Sequence, residues 1–169
     1  GKNDDIIVPS FSFQSTANSV LYVGAKPVFV DIEEDTFGLD PSEILKHLTP
    51  SVKAIMPMDY GGMSCKISDI KKIASENNLI VIEDAAEGLG SSVNGKKVGS
   101  ISDSAIFSFC GNKVLTTGEG GAVVTNSKEI SEKIKLIRSH GRLDNGNYFN
   151  DPSNPQYLSL GYNWRMSSI

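Results

Sequence analysis

The sequence predicts an α/β protein: a mostly parallel sheet with helices on both faces. Short runs of Val and Ile recur along the chain, among them Ile6-Ile7-Val8, Ala54-Ile55-Met56 and Ile80-Val81-Ile82. They are continuously apolar rather than alternating, which is how strands buried on both faces read. Between them lie segments with helical spacing of apolar residues or with helix-start chemistry. Strand and helix alternate, and crossover connections between parallel strands need that order.

Ile6-Ile7-Val8-Pro9 is the first strand, closed by a proline that cannot donate to a ladder. Thr16 to Val23 fits a short helix, with Gly24 placed to end it in a left-handed conformation. Pro27 to Asp31 is the second strand. Asp40-Pro41-Ser42-Glu43 combines an N-cap acceptor, a proline at the first helical position and a glutamate at the third, so a helix is expected from there to about Leu48. Ala54 to Met58 is the third strand. A helix opened by Lys66 or Ser68 runs through Asn78 and puts Ile67, Ile70, Ile73 and Ala74 on one face. Ile80–Asp84, Ser104–Phe109 and Ala122–Thr125 are the fourth, fifth and sixth strands. Ser127 to Arg138 is a helix with Ile130, Ile134 and Ile137 in register. Beyond Gly141 the chain to Leu160 is polar and turn-rich, an ordered loop or flap. Met166 to Ile169 reads as a helix start.

With 169 residues, 39% hydrophobic and 21% charged, one ordinary globular domain is expected. The net charge is −4 and there is no Lys/Arg run, which argues against nucleic acid and anionic membrane as partners. No apolar run approaches a membrane span, and Gly1 to Asp5 does not read as a signal peptide. Cys65 and Cys110 suggest neither a zinc site nor a disulfide framework, and the two histidines form no metal-ligand pattern. Reduced thiols and a cytoplasmic location follow as the expectation. The glycines gather at Gly88–Gly90 and Gly111–Gly121, where the backbone is expected to approach a ligand.

Two segments carry chemistry. Val81-Ile82-Glu83-Asp84 ends a buried strand in an acidic pair, and Lys113 stands in a loop of small residues, five positions after Ser108, which ends an apolar run. In parallel sheets ligands collect at the carboxyl ends of strands, so Asp84, Ser108 and Lys113 can converge. A loop lysine able to form a Schiff base and a strand-end carboxylate able to pair with a pyridinium nitrogen are what pyridoxal phosphate (PLP) chemistry needs. Ser108 is placed to reach a phosphate, and Phe13, just after the first strand, to stack on a planar cofactor. Singly, each also fits a plain role: Asp84 a helix cap or ion pair, Ser108 a strand-end hydroxyl, Phe13 a core ring. A Walker A loop is excluded because Asn112 precedes Lys113 and Val114 follows it, and Gly88-Leu89-Gly90-Ser91-Ser92-Val93 lacks the third glycine of a dinucleotide fingerprint.

Taken together, the segments resemble the DegT/DnrJ/EryC1/StrS family of sugar aminotransferases. The matching runs are Pro9-Ser10-Phe11-Ser12-Phe13 with Thr16-Ala17-Asn18, Gly24 to Asp31, Glu83-Asp84-Ala85-Ala86-Glu87, Phe107 to Gly121, Ser139-His140-Gly141-Arg142, and Gly161-Tyr162-Asn163-Trp164-Arg165-Met166. The resemblance implies a PLP fold type I (aspartate aminotransferase-like) architecture, with residues 1–169 as an incomplete, PLP-binding large domain. The family's Gly-Thr-x-Ala-Leu phosphate loop and its small C-terminal domain have no counterpart here. The resemblance also implies roles. Lys113 matches the Schiff-base lysine and proton shuttle, Asp84 the pyridinium partner, Ser108 a phosphate ligand and Phe13 the stacking aromatic. Glu87 stands near the ring's 3′-oxygen, where many members carry Gln or His and perosamine synthase-like members carry Glu. Asn163 matches an asparagine that reaches the phosphate of the neighbouring subunit's cofactor, which implies a homodimer with shared sites. Members that deoxygenate carry His in place of the lysine, and Lys113 separates this chain from them.

The implied activity is transamination from an amino acid donor, usually L-glutamate, to a nucleotide-linked keto-sugar. It would serve amino-sugar biosynthesis for a surface polysaccharide or a glycosylated metabolite. The alternatives are a PLP-binding homologue with a regulatory, non-catalytic role, and an aminotransferase acting on a cyclic polyol ketone.

Overall fold

A computed structural model of the chain describes residues 1–142, 157–164 and 166. The expected flap after Gly141 and the helix start after Met166 fall largely outside the described residues. Six strands form one sheet in the order β2-β1-β3-β4-β7-β8. These are β1 (Asp5–Pro9), β2 (Lys26–Val30), β3 (Val52–Ile55), β4 (Ile80–Asp84), β7 (Ser104–Ser108) and β8 (Gly121–Val124). Neighbours are parallel except for β8, which runs antiparallel to β7. A hairpin, β5 (Ser92–Val93) and β6 (Lys96–Lys97), stands apart from the sheet. The helices are α1 (Gln14–Tyr22), α2 (Pro41–Lys46), α3 (Ile67–Glu76) and α4 (Lys128–Ile137). None of the helices among the described residues is long and apolar enough to cross a membrane.

The sheet buries both faces. Ile7, Ile55 and Val81 point to one side, where they meet Ile44 of α2 and Ile67, Ile70 and Ala74 of α3. Val8 and Met56 point to the other, where they meet Val20 of α1, with Ile82 packed against them. Period-two alternation along β4 therefore sends its last two residues to opposite faces. Glu83 goes to the α3 side and Asp84 to the α1 side. This parity positions the candidate site.

The helix signals act as expected. Asp40 accepts a hydrogen bond from the Ser42 N–H at 2.8 Å and caps α2 behind Pro41. Ser127 caps α4, its hydroxyl accepting from the Ile130 N–H at 3.3 Å. Gly24 follows α1 with φ of +73°. The differences have local causes. β3 ends at Ile55 rather than Met58 because Pro57 has no N–H for the ladder, and pairing resumes only as an isolated Met58–Asp84 bridge. α1 starts at Gln14, before Thr16. α2 ends at Lys46 with His47 as its C-cap. Lys66 rather than Ser68 caps α3, without a side-chain bond. The unforeseen hairpin turns at Asn94-Gly95, both with positive φ (51° and 75°), the left-handed pair that a tight two-residue turn requires.

Candidate active site

The carboxyl end of the sheet gathers most of the residues that the sequence singled out. Asp84 is the last residue of β4 and only 4% exposed. Its Oδ2 accepts the Thr16 hydroxyl of α1 at 2.7 Å, and its Oδ1 accepts the Ala86 N–H at 3.2 Å. Ser12 and Thr16 hydroxyls lie 2.7 Å apart, which extends the chain of polar contacts to the loop after β1. Two neutral donors thus hold a buried carboxylate, and no cation among the described residues pairs with it. A buried carboxyl group met only by neutral donors is placed to pair with a positively charged ligand group.

Lys113 sits in the loop between β7 and β8, which folds back so that the Lys113 N–H bonds the Cys110 carbonyl at 3.0 Å. Its Nζ lies 3.6 Å from Glu87 Oε1, and its side chain is 17% exposed. The other Glu87 oxygen accepts the Gly61 N–H at 2.7 Å. Glu87 therefore bridges the turn after β3 to the lysine loop. Ser108 ends β7, directly beside β4, where Asp84 pairs with Ile106. Its hydroxyl accepts the Cys110 N–H at 3.3 Å, and the residue is half-buried. Phe13 is the N-cap of α1, 75% exposed and three residues from the threonine that holds Asp84.

Asn163 is placed differently. It is exposed and forms an isolated bridge to Ser139 beyond α4. The Tyr162 N–H bonds the Ile137 carbonyl and the Trp164 N–H bonds the Arg138 carbonyl, so residues 162–164 close off the end of that helix. Tyr162 and Trp164 stack with centroids 4.4 Å apart and are 47% and 62% exposed, not core residues. Within the chain, no described contact joins Asn163 to Asp84, Lys113, Glu87, Ser108 or Phe13.

Sequence reasoning passed over Thr16. It stood inside a matching run, yet a hydroxyl in the first turn of a helix gives no hint of its partner 68 residues away. A cleft of about 330 Å³ is lined by Ser12, Phe13 and Thr16 and by Pro27 and Phe29 of β2, and Lys113 is not among its lining residues. The candidate residues Asp84, Glu87, Ser108 and Lys113 therefore lie outside the lining of this cleft.

A parallel sheet in this order, with a lysine loop running into an antiparallel edge strand, is the fold of PLP-dependent aminotransferases. An aminotransferase from Psychrobacter cryohalolentis superposes with a TM-score of 0.91 at 37% identity, over 98% of this chain and 43% of its own. NtdA from Bacillus subtilis, solved with bound cofactor PMP, gives 0.87 at 32% identity over 98% of this chain and 36% of its own. The chain belongs to the DegT/DnrJ/EryC1/StrS aminotransferase family, whose pattern matches residues 1–169. A GDP-perosamine synthase of Caulobacter vibrioides is 44% identical over 169 residues, covering 100% of this chain and 44% of that protein. The chain thus spans less than half the length of the curated relative and of these two solved structures.

Proposed function

We propose that the protein is a PLP-dependent aminotransferase that moves an amino group from an amino acid donor, L-glutamate, to a nucleotide-linked keto-sugar. The observation that carries this reading is the pairing of a screened lysine with a neutral-donor carboxylate: Lys113 is held beside Glu87, and Asp84 is buried with no countercharge among the described residues. Those residues fit the cofactor. Asp84 would pair with the pyridinium nitrogen, Lys113 would hold the aldehyde carbon, and Ser108 would hold the phosphate. Phe13 would cover the ring, and Glu87 would meet the 3′-oxygen. When bound, PLP supplies the electron sink for the carbon–hydrogen bond broken in the donor.

The chain's own residues do the rest. Lys113 Nζ, once free, takes the proton from the donor's α-carbon and later returns one to the product. Asp84 keeps a negative charge fixed under the site, and Thr16 fixes the direction of that carboxylate. Glu87 orients the lysine. The identity to a GDP-perosamine synthase supports a nucleotide sugar as acceptor. We place the reaction in amino-sugar biosynthesis in the cytoplasm, where such substrates are made. Residues 1–169 contribute the large-domain part of the cofactor site, and Asn163 serves the neighbouring subunit of a homodimer. Borohydride treatment of the whole protein with PLP should attach cofactor to the Lys113 peptide, read by mass spectrometry, and Lys113→Ala should abolish both label and turnover. Labelling elsewhere, or wild-type turnover in Lys113→Ala, would refute the assignment.

A further inference from the structure

The acidic pair closing β4 has a second member that the proposed reaction does not use. Glu83 is fully buried, and its Oε2 accepts the Gly99 N–H at 3.1 Å and the Ser102 hydroxyl at 2.5 Å. Asp59, four residues past β3 on the same face, is also fully buried, and its Oδ1 accepts the Cys65 N–H at 2.9 Å. The remaining oxygens, Asp59 Oδ2 and Glu83 Oε1, are buried without a donor, and the Glu83 carboxylate is the charged neighbour that acts on Asp59. Two neighbouring buried carboxylates, both ionised, would leave both acceptors orphaned and two like charges close together. One proton placed between them removes both costs.

We propose that Asp59 and Glu83 share a single proton, and that this acid–carboxylate bond clamps the end of β3 to β4 beneath the turn that carries Glu87. Both are then positioning residues for the Glu87–Lys113 pair, a role that rests on the proposed function. The architecture around them supports the clamp. Above it, the turn after β3 and the loop after β4 are already tied by the Gly61 N–H to Glu87 and by the Ser91 hydroxyl to the Gly62 carbonyl at 2.6 Å. Gly88, next to Glu87, lies so close to the pair that an added Cβ would stand 3.1 Å from Asp59 Oδ2 and 2.9 Å from Val98. The loop therefore rests directly on the clamp.

The surrounding titratable groups leave the proton where it is needed. Burial above all, with the Glu83 charge beside it, pushes the Asp59 carboxyl from its ordinary 3.8 up to about 7. Burial raises the Cys65 thiol too, so it stays neutral. Asp84 faces α1 on the other side of the sheet, and Glu87 is engaged by Gly61 and Lys113. A folded value above the unfolded one means stability that is complete below 3.8 and lost as pH rises through about 7.

Amide substitutions in the whole protein test the shared proton. Glu83→Gln should keep its oxygen on Gly99 and Ser102 and aim its NH₂ at Asp59. Asp59→Asn should keep its oxygen on Cys65 and aim its NH₂ at Glu83. Each single variant supplies the missing hydrogen permanently, so thermal unfolding should lose its pH dependence between about pH 4 and 7. The double variant sets two NH₂ groups face to face and should be far less stable than the sum of the singles predicts. Additive singles, or a wild type whose stability is flat over that range, would overturn the shared proton. Positioning is read without cofactor, from the rate at which an amine-reactive ester acylates Lys113. Glu83→Ala should release the turn and speed Lys113 acylation several-fold relative to other lysines, while Glu83→Gln should not. Equal rates in both would refute the positioning role, and if Glu83→Ala does not fold, Asp59→Ala takes its place. Because neither readout involves PLP, failure of borohydride labelling would sink the aminotransferase reading and leave the clamp to stand or fall on these data.

Discussion

Asp84 illustrates how one residue's environment is set by elements distant in sequence. Its strand delivers it to the α1 face, where Thr16 supplies the nearest donor. Asp84→Asn keeps the shape and removes the charge. In the whole protein it should weaken PLP binding modestly and slow proton removal from the donor by orders of magnitude, as measured by single-turnover absorbance changes with glutamate. Asp84→Glu should recover only part of the rate, since the carboxylate is displaced. A rate within a few-fold of wild type in Asp84→Asn would make the residue structural. Thr16→Val removes a hydrogen bond to a charged group, which contributes about 1.5–3 kcal/mol. It should destabilise the cofactor-free whole protein by that order in urea unfolding, and Thr16→Ser should restore most of the loss. Most of the candidate site was legible because lysine and carboxylate chemistry announces itself in an apolar or glycine-rich setting. The partners Thr16 and Asp59 were not, because a hydroxyl or a carboxyl in a loop acquires meaning only from what folding places opposite it.

At the scale of elements, local chemistry was the most readable layer. Asp40 heads a helix of only six residues, too short to persist on propensity alone. Asp40→Ala should therefore cost about 1 kcal/mol. Hydrogen bonds from Ser42 hold the Asp40 carboxyl below its ordinary 3.8. A depressed folded value means stability that is present above 3.8 and lost as pH falls through the lower folded value. The gap between wild type and Asp40→Ala in denaturant unfolding should thus narrow in acid, and a gap independent of pH would assign the cap to shape alone. Strand limits were less readable. Pro57 truncated β3 although the apolar run continues to Met58, since hydrogen bonding rather than hydropathy ends a ladder. The Asn94-Gly95 turn was a legible signal that its setting hid: the flanking strands are two residues each and carry no apolar alternation to frame it.

At the scale of the whole molecule, α/β alternation fixed the architecture, but the partners of exposed surfaces are not written in one chain's periodicity. Leu160 (81% exposed), Trp164 (62%) and Tyr162 (47%) lie on the segment that closes α4, and Val114, beside Lys113, is 86% exposed. Exposed large apolar side chains of this kind are what an interface between copies would cover. Asn163 lies on the same segment. It bridges Ser139, and no described contact joins it to the other candidate residues of its own chain. If it reaches the phosphate bound in the neighbouring subunit, each site is built from two copies across a two-fold axis. Lys113→Ala and Asn163→Ala then lie in different halves of each composite site. A heterodimer of the two variants contains one site with both lesions and one with neither. Each homodimer alone should be nearly inactive at limiting PLP, since a lost charge-assisted bond costs roughly 1.5–3 kcal/mol. Mixing the whole proteins under subunit exchange should restore activity toward one quarter of wild type, because about half the dimers are then mixed and each carries one intact site. Exchange is verified independently by mass spectrometry of isotopically labelled subunits. Activity that stays at the level of the two parents in an exchanged mixture would place Asn163 in its own subunit's structure and remove it from the catalytic site.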